Sequence, residues 1–240
     1  MNINFKNKNV FITGISRGIG LKTAEYFKKL GANIYGTSTN PSSKLKKKFN
    51  IFKVDFLDKE SFGLFLLKIK KIKKIDVLIN NAGTHKINSI QNISDKEIDD
   101  IFNVNLISSI KISREISKKM IKRKKGKIIN ISSIFGLVGK EQRSIYSASK
   151  HALNGVTKCL ALDLAKFNIQ VNSVCPGVIE TELTKKILKT KGINKIKKNI
   201  PMKKLGKTID IAHLLAFVAS EYCNYLTGQS IIIDGGYTSQ

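Results

Sequence analysis

Three residues in the second half of the chain have the types and spacing for acid–base chemistry on a carbonyl or alcohol oxygen. Ser133 stands thirteen residues before Tyr146, and Lys150 follows Tyr146 by four. Because residues four apart share one face of a helix, a helix here would place the phenol beside the ammonium. A free tyrosine has a pKa of about 10, which a neighbouring ammonium lowers by favouring the phenolate. Such pairs are also common on helices that have no catalytic role, so the spacing alone does not decide the function.

A glycine-rich turn near the start of the chain is a second functional feature. Residues 14–20 read Gly-Ile-Ser-Arg-Gly-Ile-Gly and follow the β-branched run Val10–Thr13. Without Cβ atoms, such a strand-to-helix turn lets backbone N–H groups face a pyrophosphate. The spacing differs from the general G-x-G-x-x-G pattern, and three glycines also suit a purely structural turn. Its place after the first predicted strand favours dinucleotide binding.

The end of the second predicted strand indicates which dinucleotide binds. An NAD site usually has an acidic residue there, which bonds the ribose 2′-hydroxyl. No acid occurs between Tyr26 and Asp55, whereas hydroxyl side chains stand at 37–39 and Arg17 lies within the glycine turn. These groups can hold a 2′-phosphate by charge-assisted hydrogen bonds, so NADP(H) is favoured over NAD(H). The alternative is that Arg17 merely points to solvent.

Short β-branched runs alternate with helix-length stretches and so predict the scaffold. The predicted strands are Val10–Thr13, Asn33–Thr37, Ile51–Val54, Val77–Asn80, Lys127–Ser132, Gln170–Val174 and Ser230–Ile233. The predicted helices are Ile19–Leu30, Phe62–Ile72, Asp95–Met120, Ile145–Phe167 and Ile209–Ala219. This alternation predicts one α/β domain over residues 1–240, a doubly wound parallel sheet of about seven strands with helices on both faces. The long irregular stretch at about 177–208 is expected to be a substrate loop or lid.

The composition excludes several classes of protein. The 240 residues are 42% hydrophobic and 25% charged, which is ordinary for a globular chain and excludes a disordered one. No apolar run approaches the roughly 20 residues of a membrane-spanning helix, and no signal peptide is expected. The cysteines form no CxxC pair and the histidines show no ligand spacing, which argues against a disulfide framework and a metal site. We expect a cytoplasmic protein without a membrane partner.

The net charge of +26 raises the possibility of a nucleic-acid partner. Only four of the 43 basic residues are arginine, the residue that grips phosphate and guanine bidentately. Lysine-rich codon usage is the simpler explanation, and nucleic-acid binding is kept as the distant alternative. Under either interpretation, the positive field attracts anionic cofactors and acidic partners.

Several motifs occur in a fixed order along the chain. They are Thr13–Gly20, Asn80–Gly83, Asn105, Ser133 with Tyr146–Lys150, and Pro176–Gly177. In this order they resemble the short-chain dehydrogenase/reductase family over essentially the whole chain. The resemblance implies a Rossmann-type fold and hydride transfer between a bound NAD(P)(H) and a ketone or secondary alcohol, with Tyr146 as the general acid/base.

The same resemblance assigns roles to further residues. Lys150 would bind the nicotinamide ribose and lower the pKa of Tyr146, Ser133 would orient the substrate, and Asn105 would hold a water that relays protons. The expected cofactor-binding residues are Gly14, Ser16, Arg17, Gly18, Ile19, Gly20, Thr37, Asp55, Asn81, Ala82, Gly83, Tyr146, Lys150, Pro176, Gly177, Ile179 and Thr181.

Within that family the chain looks most like the 3-oxoacyl-(acyl-carrier-protein) reductases. The basic run Lys122–Lys125 suits docking of an acidic carrier protein. Two segments depart from that group: Thr84–Asn88 lacks the usual Arg-Asp, and Gly139–Arg143 is more charged. Both departures look more like relatives that act on sugars, polyols or surface-glycan precursors, which remain the alternative. Members of the family usually form homotetramers, and we expect the same here.

Overall fold

Seven parallel strands form the predicted sheet. The computed structural model describes residues 2–240, with side chains described for all of them except residues 183 and 185–191. The strands of the sheet are β1 (Asn9–Ile12), β2 (Asn33–Ser38), β3 (Asn50–Lys53), β4 (Val77–Asn80), β5 (Gly126–Ile131), β6 (Ile169–Pro176) and β9 (Ser230–Ile233). Their order is β3-β2-β1-β4-β5-β6-β9. The doubly wound α/β prediction is confirmed, with strand bounds within two residues of those expected.

Helices lie on both faces of this sheet. Their bounds are α1 (Gly18–Lys29), α2 (Ser43–Lys48), α3 (Lys59–Lys70), α4 (Asp95–Phe102), α5 (Ser108–Arg123), α6 (Ser144–Ala165), α7 (Glu182–Asn199) and α8 (Thr208–Ala219). Alternation along β1 shows the two faces: Val10 and Ile12 pack with α1 and α8, whereas Phe11 packs with α3, α5 and α6. All three side chains are buried, as expected of a strand covered on both sides.

The strand order places a crevice at the carboxyl end of β1. Strand β1 pairs in parallel with β2 on one side and with β4 on the other, so the chain reverses its direction of winding there. Ligands of doubly wound sheets bind at such a switch point, outside the carboxyl ends of the strands. The glycine turn and Asn81–Gly83 follow β1 and β4 directly, so both predicted motifs lie at this crevice.

Two predicted segments differ from the structure. The expected single helix Asp95–Met120 is interrupted by a π-helical turn at Asn103–Ile107, which buries Asn105 and Leu106. The stretch expected to be irregular contains α7 and a small sheet of β7 (Ile179–Glu180) and β8 (Gly206–Lys207). The sequence did not predict α7 because Gly192 interrupts this lysine-rich stretch and its few apolar residues do not follow one helical face.

No helix within the described residues is both long and apolar enough to cross a membrane.

Candidate active site

A cleft of about 710 Å³ opens at the carboxyl ends of the central strands. Every residue predicted to bind the cofactor lines it, and so do Ser133, Tyr146 and Lys150. Asn105 is the one predicted site residue outside the lining, and it lies directly behind the wall. One cleft therefore holds both the predicted nucleotide turn and the predicted acid–base group.

The glycine turn has the shape that a pyrophosphate requires. Gly14 and Gly18 adopt φ values of +71° and +59°, which side chains with a Cβ rarely adopt. A Cβ on Gly20 would overlap the Gly14 carbonyl oxygen and the Asn81 side-chain amide. Asn81 Nδ2 donates to the carbonyl oxygens of Thr13 (2.8 Å) and Gly14 (3.0 Å), which fixes the turn against the end of β4. Helix α1 begins at Gly18, so its N-terminal N–H groups face the cleft. These residues fit a dinucleotide.

The end of β2 offers a buried hydroxyl without a partner. The backbone N–H of Gly14 donates to Thr37 Oγ1 at 2.9 Å, so the Thr37 hydroxyl already holds the turn. Ser38 lines the cleft with only 4% of its surface exposed, and its Oγ has no hydrogen-bond partner in the structure. A buried hydroxyl without a partner loses free energy unless a ligand bonds it. With Arg17 on the same cleft wall, the strand end fits an anionic 2′-phosphate.

The predicted acid–base residues lie just after β5 and on α6. Ser133 follows β5 and is 7% exposed; Tyr146 lies in the first turn of α6; Lys150 follows one turn later and is 3% exposed. The Ser133 hydroxyl is close enough to the phenol to lower the pKa of Tyr146, and its Oγ accepts from the Phe135 N–H at 3.2 Å. The Lys150 Nζ donates to the Ile131 carbonyl oxygen at 2.8 Å and lies 5.8 Å from the centre of the Tyr146 ring. The expected helical pairing of phenol and ammonium is therefore present.

The pKa of the phenol differs from the expectation. Burial raises the pKa of Tyr146 above its usual value, although the hydrogen bond to Ser133 and the charge of Arg143 act in the opposite direction. Burial also lowers the pKa of Lys150 from 10.5 to about 8. The predicted net lowering of the Tyr146 pKa is wrong for the chain by itself, because dehydration of the phenolate outweighs the neighbouring charges.

Asn105 supports the wall of the cleft. Its Oδ1 accepts from the Thr84 N–H at 2.7 Å, and its Nδ2 donates to the Thr84 carbonyl at 2.9 Å and to Ser149 Oγ at 3.0 Å. A Cβ on Gly83 would lie 3.4 Å from Asn105 Oδ1 and 3.7 Å from Lys150 Nζ. The π-helical turn thus positions Asn105 between the loop after β4 and the helix of Tyr146. Its role as a proton relay stays a prediction.

The sequence matches known proteins over nearly its whole length. A family model described as "Enoyl-(Acyl carrier protein) reductase" matches residues 14–238. The chain is 37% identical to the 3-oxoacyl-[acyl-carrier-protein] reductase FabG of Buchnera aphidicola subsp. Acyrthosiphon pisum (strain APS), and the match covers 98% of each protein. The chain belongs to the short-chain dehydrogenase/reductase family. As a member it is an oxidoreductase that acts on CH–OH groups.

Two solved structures with the same fold contain bound nicotinamide cofactors. ElxO with NADP bound is 34% identical, with a TM-score of 0.89 and coverage of 97% of this chain and 99% of that one. A 4-hydroxyisoleucine dehydrogenase complexed with NADH is 33% identical, with a TM-score of 0.91 and coverage of 98% and 100%. Both are similar to this short-chain dehydrogenase/reductase along the entire chain.

Sequence reasoning missed several residues of the cleft. His85 was not among the predicted site residues, but its ring lies 5.7 Å from that of Tyr146, edge to face. Burial, with the charges of Arg143 and Lys150, lowers the pKa of His85, so it is neutral at pH 7. Arg143 and Lys140 also line the cleft. Two positions gave a usable signal: His85 directly follows the Asn80–Thr84 segment, and Arg143 precedes Tyr146 by one helical turn.

The basic run Lys122–Lys125 is not at the mouth of the cleft in this subunit. It precedes β5 and so lies at the amino ends of the strands, on the opposite edge of the sheet from Ser133. There Arg123 donates to Asp76 Oδ1 at 3.0 Å and to the Ile75 carbonyl. Within one subunit the length of β5 separates this run from Ser133, and docking of a carrier protein on it stays a prediction.

Proposed function

We propose that this protein reduces a 3-oxoacyl group, carried by acyl carrier protein, to the 3-hydroxyacyl group with NADPH. The observation that carries the proposal is the convergence of the glycine turn with Ser133, Tyr146 and Lys150 in one cleft. The similarity to 3-oxoacyl-[acyl-carrier-protein] reductases over 98% of the chain supports the substrate class. A cytoplasmic location goes with this proposal, because the carrier protein and NADPH are found there.

Different side chains of the cleft would act on the carbonyl oxygen in different ways. When bound, NADPH supplies the hydride for the carbonyl carbon. The Ser133 hydroxyl donates a hydrogen bond to the substrate oxygen, and the Tyr146 phenol stabilises its developing charge and then delivers the proton. Burial raises the pKa of Tyr146, so the phenol is protonated at neutral pH and holds the proton that the reduced oxygen takes up. Lys150 would hold the ribose of the cofactor, and Asn105 the loop that forms the wall.

The end of β2 supports NADP(H) rather than NAD(H). Ser38 and Arg17 would hold the 2′-phosphate, since one provides an unpartnered buried hydroxyl and the other a cation on the same wall. Asn81 and Gly20 would shape the pyrophosphate site, and the remaining predicted cofactor residues line the cleft around them. Thr181 caps α7 through a hydrogen bond from the Thr184 N–H at 3.1 Å, which would hold it near the nicotinamide.

Ser38→Asp tests the cofactor assignment. A carboxylate in this buried position repels a 2′-phosphate and accepts a hydrogen bond from a 2′-hydroxyl, as in NAD sites. We expect the Kd for NADPH, measured by fluorescence titration, to rise about tenfold or more and the preference for NADPH over NADH to invert. Ser94→Asp adds the same charge at the exposed N-cap of α4, outside the cleft, and should change neither constant. Unchanged NADPH affinity in Ser38→Asp would contradict the assignment.

Substrate turnover tests the function itself. NADPH oxidation should proceed with acetoacetyl thioesters, and faster with acetoacetyl-acyl carrier protein than with a small thioester. Because the chain carries +26 and carrier proteins are acidic, added salt should slow the carrier-bound substrate more than the small thioester. Turnover of a panel of ketosugars without thioester activity would reject the proposal in favour of a sugar or polyol oxidoreductase.

The sugar or polyol alternative is favoured by one observation. Lys140 and Arg143 bring two positive charges into the cleft that holds Ser133 and Tyr146, and such charges suit a hydroxylated substrate better than an acyl chain. The nucleic-acid alternative is weakened by the arginines: Arg114 and Arg123 form ion pairs with Glu115 and Asp76, and Arg17 and Arg143 line the cleft.

We also propose a homotetramer and a substrate lid. Leu162 on α6 and Ile232 on β9 are 80% and 45% exposed, and large apolar side chains on these elements suit contacts between subunits.

For the lid at about 177–208, the supporting observation is that Thr184, Ile196 and Asn199 of α7 line the cleft. A segment that reaches the site and connects to the sheet at both ends can cover a bound substrate.

A further inference from the structure

Two cations lie at the substrate end of the cleft. Arg143 is the residue before α6, three positions before Tyr146, and Lys140 stands in the loop that leads to it. Both line the cleft together with Ser133 and Tyr146. The predicted nucleotide site lies at the other end, around the glycine turn and the end of β2. These cations are therefore placed to meet the substrate rather than the cofactor phosphates.

Neither cation has an acidic partner among the residues whose side chains the structure describes. The ammonium of Lys140 lies 6.0 Å from the centre of the Phe135 ring, an attractive but uncompensated contact. Arg143 is half-buried, and burial lowers its pKa, yet a guanidinium keeps its charge at all physiological pH values. Elsewhere Arg114 and Arg123 are paired with Glu115 and Asp76.

The acids of the cleft wall do not neutralise this end. Only Asp55 and Glu182 among the described lining residues are acidic. Asp55 lies just beyond β3, on the nucleotide side, and its Oδ1 accepts from the Leu57 N–H at 3.0 Å. Glu182 follows Thr181, whose side chain lies against Gly18 of the glycine turn, so it too is on the nucleotide side. A half-buried guanidinium without a counter-charge is costly unless a ligand supplies the charge.

We propose that Arg143, with Lys140 beside it, binds an anionic group of the substrate, a carboxylate or a phosphate, next to the carbonyl that is reduced. The inference rests on the proposed role of Tyr146 but not on the acyl carrier protein. It extends the substrates of this site to small oxo acids or phosphorylated ketones.

The position of Arg143 limits how far this anion lies from the reacting carbon. Residues three apart at the start of a helix have Cβ atoms roughly 5–6 Å apart, so the guanidinium reaches the space beside the phenol. A planar fork of N–H donors binds carboxylate or phosphate oxygens in pairs, which orients the substrate as well as holding it. Among small ketones of similar size, one with an anion beside its carbonyl pairs with this charge, so the site favours it over a neutral analogue.

Matched pairs of substrates test the inference. Acetoacetate is compared with methyl acetoacetate, and dihydroxyacetone phosphate with dihydroxyacetone, so the two pairs distinguish a carboxylate from a phosphate. In the unmodified protein, kcat/KM for the charged member of one pair should exceed that for its neutral partner about tenfold or more. Arg143→Gln should reduce this ratio to near one, even where it lowers both rates through its effect on Tyr146.

Two variants serve as controls. Arg143→Lys keeps the positive charge without the paired N–H donors and should retain part of the ratio of kcat/KM between charged and neutral substrates. Lys158→Gln removes a charge from the exposed face of α6 and should leave that ratio unchanged. Should Arg143→Gln not fold, Lys140→Gln must show the same loss in smaller degree. Calorimetric titration of the NADP⁺-loaded protein with each ligand gives the affinities without turnover.

Equal rates for charged and neutral partners in the unmodified protein would overturn the inference, and so would a ratio that survives Arg143→Gln. Either result leaves the proposed function intact, provided that acetoacetyl thioesters are still reduced. Conversely, a charge ratio without thioester turnover would support the anion site and reject the carrier-linked substrate.

Discussion

Tyr146→Phe is expected to lower kcat for ketone reduction by ~10²–10⁴-fold, the contribution typical of a positioned general acid. The substitution removes only the hydroxyl, so the ring keeps its contact with His85 and its place on α6. In the variant the Ser133 hydroxyl, which accepts from the Phe135 N–H at 3.2 Å, is the remaining side-chain donor for the substrate oxygen. The remaining activity reflects substrate and cofactor held close together without proton delivery.

Three measurements separate this effect from misfolding. NADPH binding, followed by fluorescence, should stay within about twofold, since the Tyr146 ring and the glycine turn are unchanged. The unfolding midpoint at neutral pH should change only slightly, because the substitution removes one hydroxyl and keeps the packing of the ring. Tyr225→Phe, which removes an equivalent hydroxyl from a fully exposed residue, should retain full activity. A Tyr146→Phe protein that keeps near-normal kcat with NADPH bound would reject the acid–base assignment.

The sequence was sufficient for the scaffold and for the position of the trio. Helical spacing predicted that Tyr146 and Lys150 share a face, and alternation of strands and helices predicted where Ser133 ends a strand. Gly14 and Gly20 were informative because each occupies a place where a side chain does not fit. These features depend on neighbours in the chain, so they can be read locally.

What the sequence did not predict depends on tertiary surroundings. The raised pKa of Tyr146 follows from how much protein covers the phenol, which spacing does not reveal. The π-helical turn at Asn105 arises because its side chain bonds Thr84 and Ser149, 21 and 44 residues away. Likewise, the free hydroxyl of Ser38 is distinguished from that of Thr37 only by which of them the Gly14 N–H contacts.

Lys150→Met is expected to abolish most activity while changing how stability depends on pH. Burial lowers the pKa of Lys150 to about 8 in the folded protein, against 10.5 as its ordinary value. Below pH 8 Lys150 is therefore charged in the folded protein, and the burial of its ammonium lowers the free energy of unfolding. Between pH 8 and 10.5 the unfolded chain binds a proton that the folded chain has released, so the free energy of unfolding rises with pH from this group. The variant lacks this contribution.

The difference between the two proteins isolates that contribution. Loss of the hydrogen bond to the Ile131 carbonyl changes the stability of the variant by the same amount at every pH. The effect of the ammonium on stability, in contrast, changes with pH. Between pH 7 and 10 the free energy of unfolding of the unmodified protein, measured with urea, should rise by on the order of 2–3 kcal/mol relative to that of Lys150→Met. The reason is that each unit of pKa shift corresponds to about 1.4 kcal/mol. Lys158→Met, at an exposed position of the same helix, is the matched control. Parallel stability curves for the unmodified protein and Lys150→Met would contradict the lowered pKa of Lys150.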